Sequence, residues 1–437
     1  ICNGIDRIKK AHGISGKDIV GLGIAYQMHG LVLIDSNGNS LRKAIIWCDS
    51  RAVDIGNRAY KEMGKEKCDT KLLNAPGNFT ASKLAWVKEN EPERYQEVYK
   101  FMLPGDYIAF RFSNKVNTTI PGLSEGIFWD FTLDGISDMV LNQYGFESDM
   151  IPEIVDTFSI QCRVSDEAAK QSGLEAGTPI LYRAGDQPNN ALSLNVFHPG
   201  EVAASAGTSG VVYAITNSLS VKEASRLNNF AHFTYRPGKE KNIGKLLCIN
   251  GAGILFRWLL NNLAVSSYEE MNRLAAEIEV GSDGVCILPF GNGAERMLNN
   301  SDVGTHFINL NLNRHSKSHL CRAALEGIAF SFIYGMEIMQ ADGVDIEVLR
   351  AGNDNLFRSE IFANTIANLI NKEIEIYDTT GAIGAGRACA ITELGYSAFA
   401  DYLGNDHLKT FTPEQQRGEY QKAYDNWKRE LELITNN

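Results

Sequence analysis

Six short stretches hold residues whose types and spacing could do chemistry. Gly207-Thr208-Ser209-Gly210 is a tight turn between two apolar runs, Glu201–Ala206 and Val211–Thr216. Its successive N–H groups, two glycines and two hydroxyls could cradle phosphate oxygens; a plain hairpin turn is the bland alternative. Gly185-Asp186 ends the apolar run Pro179–Ala184. A carboxylate at the carboxyl end of a strand could accept a proton from a hydroxyl or hold a metal, or it could merely cap a helix beginning near Pro188. Gln27-Met28-His29-Gly30 follows the run Ile19–Ala25 in the same way, so His29 could bind a polar ligand and Met28 pack against it, or His29 could be an ordinary loop residue. Trp47-Cys48-Asp49-Ser50-Arg51 offers an aromatic face with charged neighbours, which suits a sugar; a Trp wedged in the core beside a surface ion pair fits as well. Asn250-Gly251-Ala252-Gly253 precedes a helix with Trp258 and could present its N-terminus to an anion. Ala351-Gly352-Asn353 lies between the strand Glu347–Arg350 and a helix from near Ser359, and could pass close to a nucleotide; both loops could equally be ordinary strand-to-helix turns.

Alternating strands and helices must position these loops. Leu31–Ile34 and Ile45–Trp47 read as strands flanking the turn Ser36-Asn37-Gly38-Asn39, with a helix from about Ser50. Ile1–Gly13 and Ala81–Asn90 read as helices, the latter stopped or restarted at Pro92. From Ser318 to Gln340, Leu320, Ala324, Ile328, Phe332, Met336 and Met339 form one helical stripe, with Gly343 as its stop. Thr412, Pro413 and Gln415 spell the start of a closing helix. The alternation predicts an α/β protein with mixed sheets and helices packed on them. A chain of 437 residues is too long for one ordinary core. Two domains are expected, 1–195 and 196–437.

Composition narrows the function. The formal net charge of −11 argues against general nucleic-acid binding, which needs clustered Lys and Arg. The apolar stretches are too short and interrupted to span a bilayer, and no signal peptide is read. Eight scattered cysteines form no C-x-x-C pair or zinc spacing, so they read as reduced thiols of a cytoplasmic protein. No G-x-x-x-x-G-K-[ST] sequence occurs, which excludes a P-loop kinase. Gly384-Ala385-Gly386 is followed by Cys389 where a dinucleotide fingerprint needs a small residue, which excludes a nicotinamide dehydrogenase.

Taken in order, Gln27-Met28-His29-Gly30, Ala44–Arg51, Gly185-Asp186 and Gly207–Val212 resemble the FGGY carbohydrate kinases, from about residue 17 to the C-terminal helix. The Q-M-H-G form looks like the xylulokinase branch, and Leu349–Phe362 resembles the adenosine-side loop of a bacterial subgroup of that branch. The resemblance implies two actin-like ATPase (ribonuclease H-like) domains with the active site in the cleft between them. It implies ATP and Mg²⁺, and transfer of the γ-phosphoryl group to an alcohol group, giving D-xylulose 5-phosphate from D-xylulose. It makes Asp186 the catalytic base. Met28, His29, Asp186 and Gln187 become sugar contacts, with Trp47 beside them. Thr208 sits at the transferred phosphate with Gly207 and Ser209, and Gly253 and Gly352 near the nucleotide. The partners implied are a small sugar and ATP, with no nucleic acid or membrane, and with a homodimer left open.

The pattern is not uniform. Gln187 stands where many of the branch have Asn, and Tyr26 where Gly is usual. The family opens with a strand-turn-strand carrying D-x-G-T, whose Asp helps hold the Mg²⁺–phosphate. Nothing before Ile19 matches it, and the chain starts at Ile1 rather than Met. The first domain is therefore expected to lack roughly its first two or three strands, and with them the metal ligand. Alternatives are a kinase of L-ribulose, gluconate, glycerol or another polyol, or a relative that binds sugar and nucleotide without catalysis.

Overall fold

Two parallel strand pairings set where the loops emerge. In this computed structural model, which describes residues 1–415 and 417–435, Leu22–Tyr26 lies parallel to Pro179–Gly185. Tyr26 stands opposite Gly185, so the chain leaves both strands at one sheet end. Gln27-Met28-His29 and Asp186 are thereby neighbours, although far apart in sequence. Phe158–Arg163 completes this three-stranded sheet on the other side of Pro179–Gly185.

The second sheet repeats the device. Its seven strands run in the order Asn228–Ala231, Ile243–Ile249, Gly210–Thr216, Glu201–Ala206, Val348–Gly352, Ile374–Tyr377, His407–Phe411. Glu201–Ala206 and Val348–Gly352 pair in parallel with Ala204 opposite Ala351, so the Gly207 turn and the loop after Gly352 leave the same end. The chain is a mixed α/β protein of two units, and the cleft lies between them.

The helix Lys317–Ala341 is buried along nearly its whole length, wider than the predicted stripe, because it packs between the large sheet and the closing helix Gly418–Thr435. Phe332, Met336 and Met339 are its core side chains, and Trp427 closes the cluster with its indole N–H donating to the Ile287 carbonyl at 2.9 Å. A second apolar cluster draws on both units. It joins Met28, Phe79 and Phe128 to Tyr213, Phe230 and Leu246.

Three expectations change. Ile45–Trp47 is not a strand: only Ile45 bridges Leu31, and Val32–Ile34 pairs instead with Lys100–Met102. Ile45 alone of the three is buried, so the run lacks an apolar face to hold it in a sheet. The next helix begins at Val53, after the Asp49–Arg51 ion pair of 2.7 Å has fixed a turn. The closing helix begins at Gly418 rather than Pro413, because the Glu414 N–H is captured by Asn368 Oδ1 at 2.7 Å. The helices Cys2–His12 and Thr80–Asn90 and the restart Pro92–Gln96 form as read. Among the described residues all eight cysteines are free and no helix is long and apolar enough to cross a membrane.

Trp427→Ala should cost about 3–5 kcal/mol, read from the urea midpoint, because it opens a cavity in the main core. A loss below about 1 kcal/mol would show that the closing helix contributes little to that core.

Candidate active site

Asp186 is the first residue of the helix Asp186–Ser193, not a cap before it. Its side chain opens on a cavity of about 690 Å³, also lined by Gln187, Asn189 and Asn190, by Leu22–Ala25, and by Ser205 and Gly381 from the second unit. The protein crowding around the carboxyl raises its pKa, partly offset by the N–H and side chain of Gln187. A raised carboxylate facing a cleft is a group suited to accept a proton.

His29 adopts a left-handed backbone, φ 60°, at the other strand end. Three contacts accompany that uncommon conformation: Lys83 Nζ donates to the His29 carbonyl at 2.8 Å, and the ring is boxed by Phe79 at 4.7 Å and Phe230 at 5.1 Å between centroids. Nδ1 lies 3.0 Å from the Glu125 carbonyl, which can only accept, so Nδ1 carries the proton. Burial lowers the imidazole pKa to about 3, despite the Glu125 bond, with the Lys83 and Arg296 charges lowering it further. The ring is therefore neutral, and Nε2 is left as an acceptor for a ligand hydroxyl. Met28 is buried against Gly185: a Cβ at Gly185 would fall 2.5 Å from Met28 Cγ, so only glycine lets Met28 reach this corner.

Trp47 faces solvent with 62% of its surface exposed and lines neither the cavity beside Asp186 nor the one under the Thr208 turn. Its N–H donates to Gln27 Oε1 at 3.2 Å, and Asn78 ties the Asp49 carbonyl at 2.6 Å. The core-wedged reading of Trp47 is ruled out. The Arg51 guanidinium stacks on Trp86 instead, 4.6 Å from the ring centroid.

In the second unit, Thr208 and Ser209 stand exposed at the turn between Glu201–Ala206 and Gly210–Thr216. A second cavity, about 640 Å³, lies under the turn. Gly207, Thr208, Gly253, Phe256, Tyr268, Asn355 and Arg358 line it. Its size suits a nucleotide-sized ligand. Ser205 lines the first cavity and Ala206 the second, so one strand end joins them.

The Asn250–Gly253 loop does not work as an anion nest. The Asn250 and Gly251 N–H groups donate to Glu295 at 2.9 and 2.6 Å, and those of Gly253 and Ile254 to the Gly207 and Thr208 carbonyls at 2.9 and 3.1 Å. Gly253 is needed because a Cβ there would meet the Gly207 oxygen at 2.3 Å. The loop therefore props the Thr208 turn. Glu295 is buried and its pKa is raised to about 6 by that burial, against the two N–H donors. Gly352 does not line the cavity; Asn355 and Arg358, just beyond it, do.

Sequence reasoning missed Lys83, Glu125, Phe230 and Glu295. Lys83 and Glu125 carried a signal, each being a lone charge in a mainly apolar segment. Phe230 carried none, since it reaches His29 only through tertiary packing. Among the described residues no three His, Cys, Asp or Glu side chains gather as a metal site.

The profile of the N-terminal domain of the FGGY family of carbohydrate kinases matches residues 2–193, and that of its C-terminal domain matches residues 202–392. The chain is 27% identical over 422 residues to the xylulose kinase of Escherichia coli K12, covering 94% of this chain and 84% of that one. Its fold matches the crystal structure of Plasmodium falciparum glycerol kinase with ADP at a TM-score of 0.88, with 19% identity, over 99% of this chain and 88% of the other. It also matches gluconate kinase from Lactobacillus acidophilus at 0.84, with 20% identity, over 96% and 86%.

The His29 ring should stay neutral, with its proton on Nδ1, from pH 8 down to pH 5. Nitrogen-15 shifts of the labelled imidazole read this directly. A titration midpoint near 6.5 would show that the box around the ring is open to water.

Proposed function

Because the chain belongs to the FGGY family of carbohydrate kinases, we propose that it transfers the γ-phosphoryl group of ATP to D-xylulose, giving D-xylulose 5-phosphate. The observation that carries this reading is the pairing of a raised carboxylate, Asp186, with a neutral acceptor imidazole, His29, at one end of one sheet.

Asp186 takes the proton of the attacking hydroxyl, which turns the oxygen into a nucleophile. His29 Nε2 accepts a hydrogen bond from a neighbouring hydroxyl and Gln187 supplies an amide. Met28 offers apolar contact to the carbon skeleton, and Trp47 faces solvent. On the opposite wall the Gly207–Ser209 turn offers N–H and hydroxyl donors to the transferred phosphate, held in shape by Gly253. The loop after Gly352 brings Asn355 to the nucleotide. The donor set and volume fit a triphosphate; Mg²⁺, which usually takes one or two carboxylates and completes its shell with phosphate oxygens and water, would neutralise charge on the leaving and transferring groups. Closure of residues 1–195 onto 196–437 would exclude water as a competing acceptor. The eight free thiols accord with a cytoplasmic setting.

One observation favours a second substrate class. The charges of Lys83 and Arg296 both act on His29, and such a positive corner suits a sugar acid such as gluconate. An ADP-release assay across D-xylulose, L-ribulose, gluconate and glycerol separates the two. Highest kcat/KM for gluconate would move the assignment to an aldonate kinase.

Asp186→Asn should lower kcat by about 10³-fold while calorimetric Kd values for sugar and ATP change little. In the parent, activity should fall with acid as Asp186 protonates, with its limb moved up from the ordinary Asp value by the protein packed around this cleft-facing group. Near-normal turnover of the variant would remove Asp186 from the base role.

A further inference from the structure

Glu125 ends the short helix Ile120–Glu125 and is 2% exposed. Its parts meet His29 and Gly185, beside Met28. The carbonyl holds His29 Nδ1 at 3.0 Å. Carboxyl Oε2 and the Met28 side chain press together on Gly185, where a Cβ would fall 2.6 Å from Oε2 and 2.5 Å from Met28 Cγ. Oε1 is buried, and among the described residues it has no hydrogen-bond partner. A buried carboxylate with an unpartnered oxygen is costly; a carboxylic acid in the same place is far less so.

The groups that face Glu125 decide its charge. Tyr26, on the strand beside Gly185, brings its hydroxyl to the carboxyl. Burial raises its proton affinity most, Asp186 and Asp106 raise it further, and the Tyr26 hydroxyl and the His29 contact lower it in part; the His29 ring is neutral. Tyr213, from the second unit, feels the charge of the same carboxyl, while its hydroxyl bonds His232 Nδ1 at 2.9 Å. Arg183 is directed at Asp106, 3.6 Å away, and does not pair with Glu125.

We propose that Glu125 is a positioning residue of this site, an uncharged carboxylic acid that fixes Met28, His29 and the strand end bearing Asp186 in one geometry. The proposal rests on the kinase reading of the Asp186 corner and deepens it. Its chemical sense is that two carboxyls stand near one another while a single negative charge resides on the outer one, Asp186, which faces the cleft. An ionised Glu125 would repel that charge and raise the proton affinity of Asp186. An uncharged Glu125 leaves it to the cleft.

The test has two arms. In the infrared arm, parent protein at pH 7 should show the carbonyl band of a protonated carboxyl above the amide region, shifting in D₂O, part of which Glu125→Gln removes. In the kinetic arm, Glu125→Ala should lower kcat/KM by roughly a hundredfold, mostly in kcat, because the supporting contacts are lost. Glu125→Gln keeps the volume and the neutral polar group, so it should restore activity to within about tenfold of the parent. The sign of the pH effect is decisive. If Glu125 is uncharged in the parent, Glu125→Gln leaves the acid limb of kcat/KM in place. If Glu125 is ionised, the neutral amide removes a repelling charge and the limb moves to lower pH. A limb lowered by about one unit or more, or no difference band, overturns the proposal. So does a Glu125→Ala variant that is folded by circular dichroism and fully active. A parent that phosphorylates no sugar yet shows the band overturns the kinase reading, while the charge state of Glu125 stands.

Discussion

The site depends on how one edge strand is closed. Asn228–Ala231 borders the large sheet, and its outward N–H groups would be unpaired in an isolated unit. The first unit supplies the missing acceptors. Asn74 Oδ1 takes the Asn229 N–H at 2.9 Å, Ser124 Oγ takes that of Ala231 at 2.7 Å, and the Asn229 amide donates to the Leu73 carbonyl at 2.8 Å. Both asparagines are fully buried, so breaking this clasp would strand several polar groups. The residue between the two clasped positions is Phe230, which packs on the His29 ring. Ser124 precedes Glu125, whose carbonyl fixes the tautomer of that ring. The same joint therefore holds the units together and shapes the ligand corner.

Burial is the second theme. Asp186, Glu125, His29 and Lys83 all have pKa values moved toward the uncharged form, in each case chiefly by desolvation. Lys83 is lowered to about 8 and gives its Nζ to the His29 carbonyl. With His29 neutral and Glu125 favouring its protonated form, Asp186 stands as the charged carboxylate at the mouth of the corner, and Lys83, still largely protonated near neutral pH, lies behind it.

The Thr208 side is built differently. Its turn is supported from behind by backbone hydrogen bonds to Gly253 and Ile254, and these are anchored through Glu295. The loop's N–H groups are used within the protein, so the glycine pattern there reflects close packing of two loops rather than contact with an anion.

Much of this could be read from the residues in order. The loops at Met28-His29, Asp186 and Thr208 stand at strand ends as the apolar runs and glycines indicated, because local pattern determines strands, turns and caps. The long helix and its stop at Gly343 followed from period and cap chemistry alone. Sequence could not decide which strands pair, since parallel partners such as Tyr26 and Gly185 are joined by no short turn that sets register. Nor could it decide that Ile45–Trp47 would lose its pairing, that Glu414 would be held by Asn368, or that Trp47 would face solvent. Those outcomes depend on competition among distant partners for the same hydrogen bonds and apolar faces. The chain by itself determined which groups could do chemistry. Only the tertiary structure decided which lean toward the charged or the uncharged form, because burial and neighbouring charges exist only once the chain has folded.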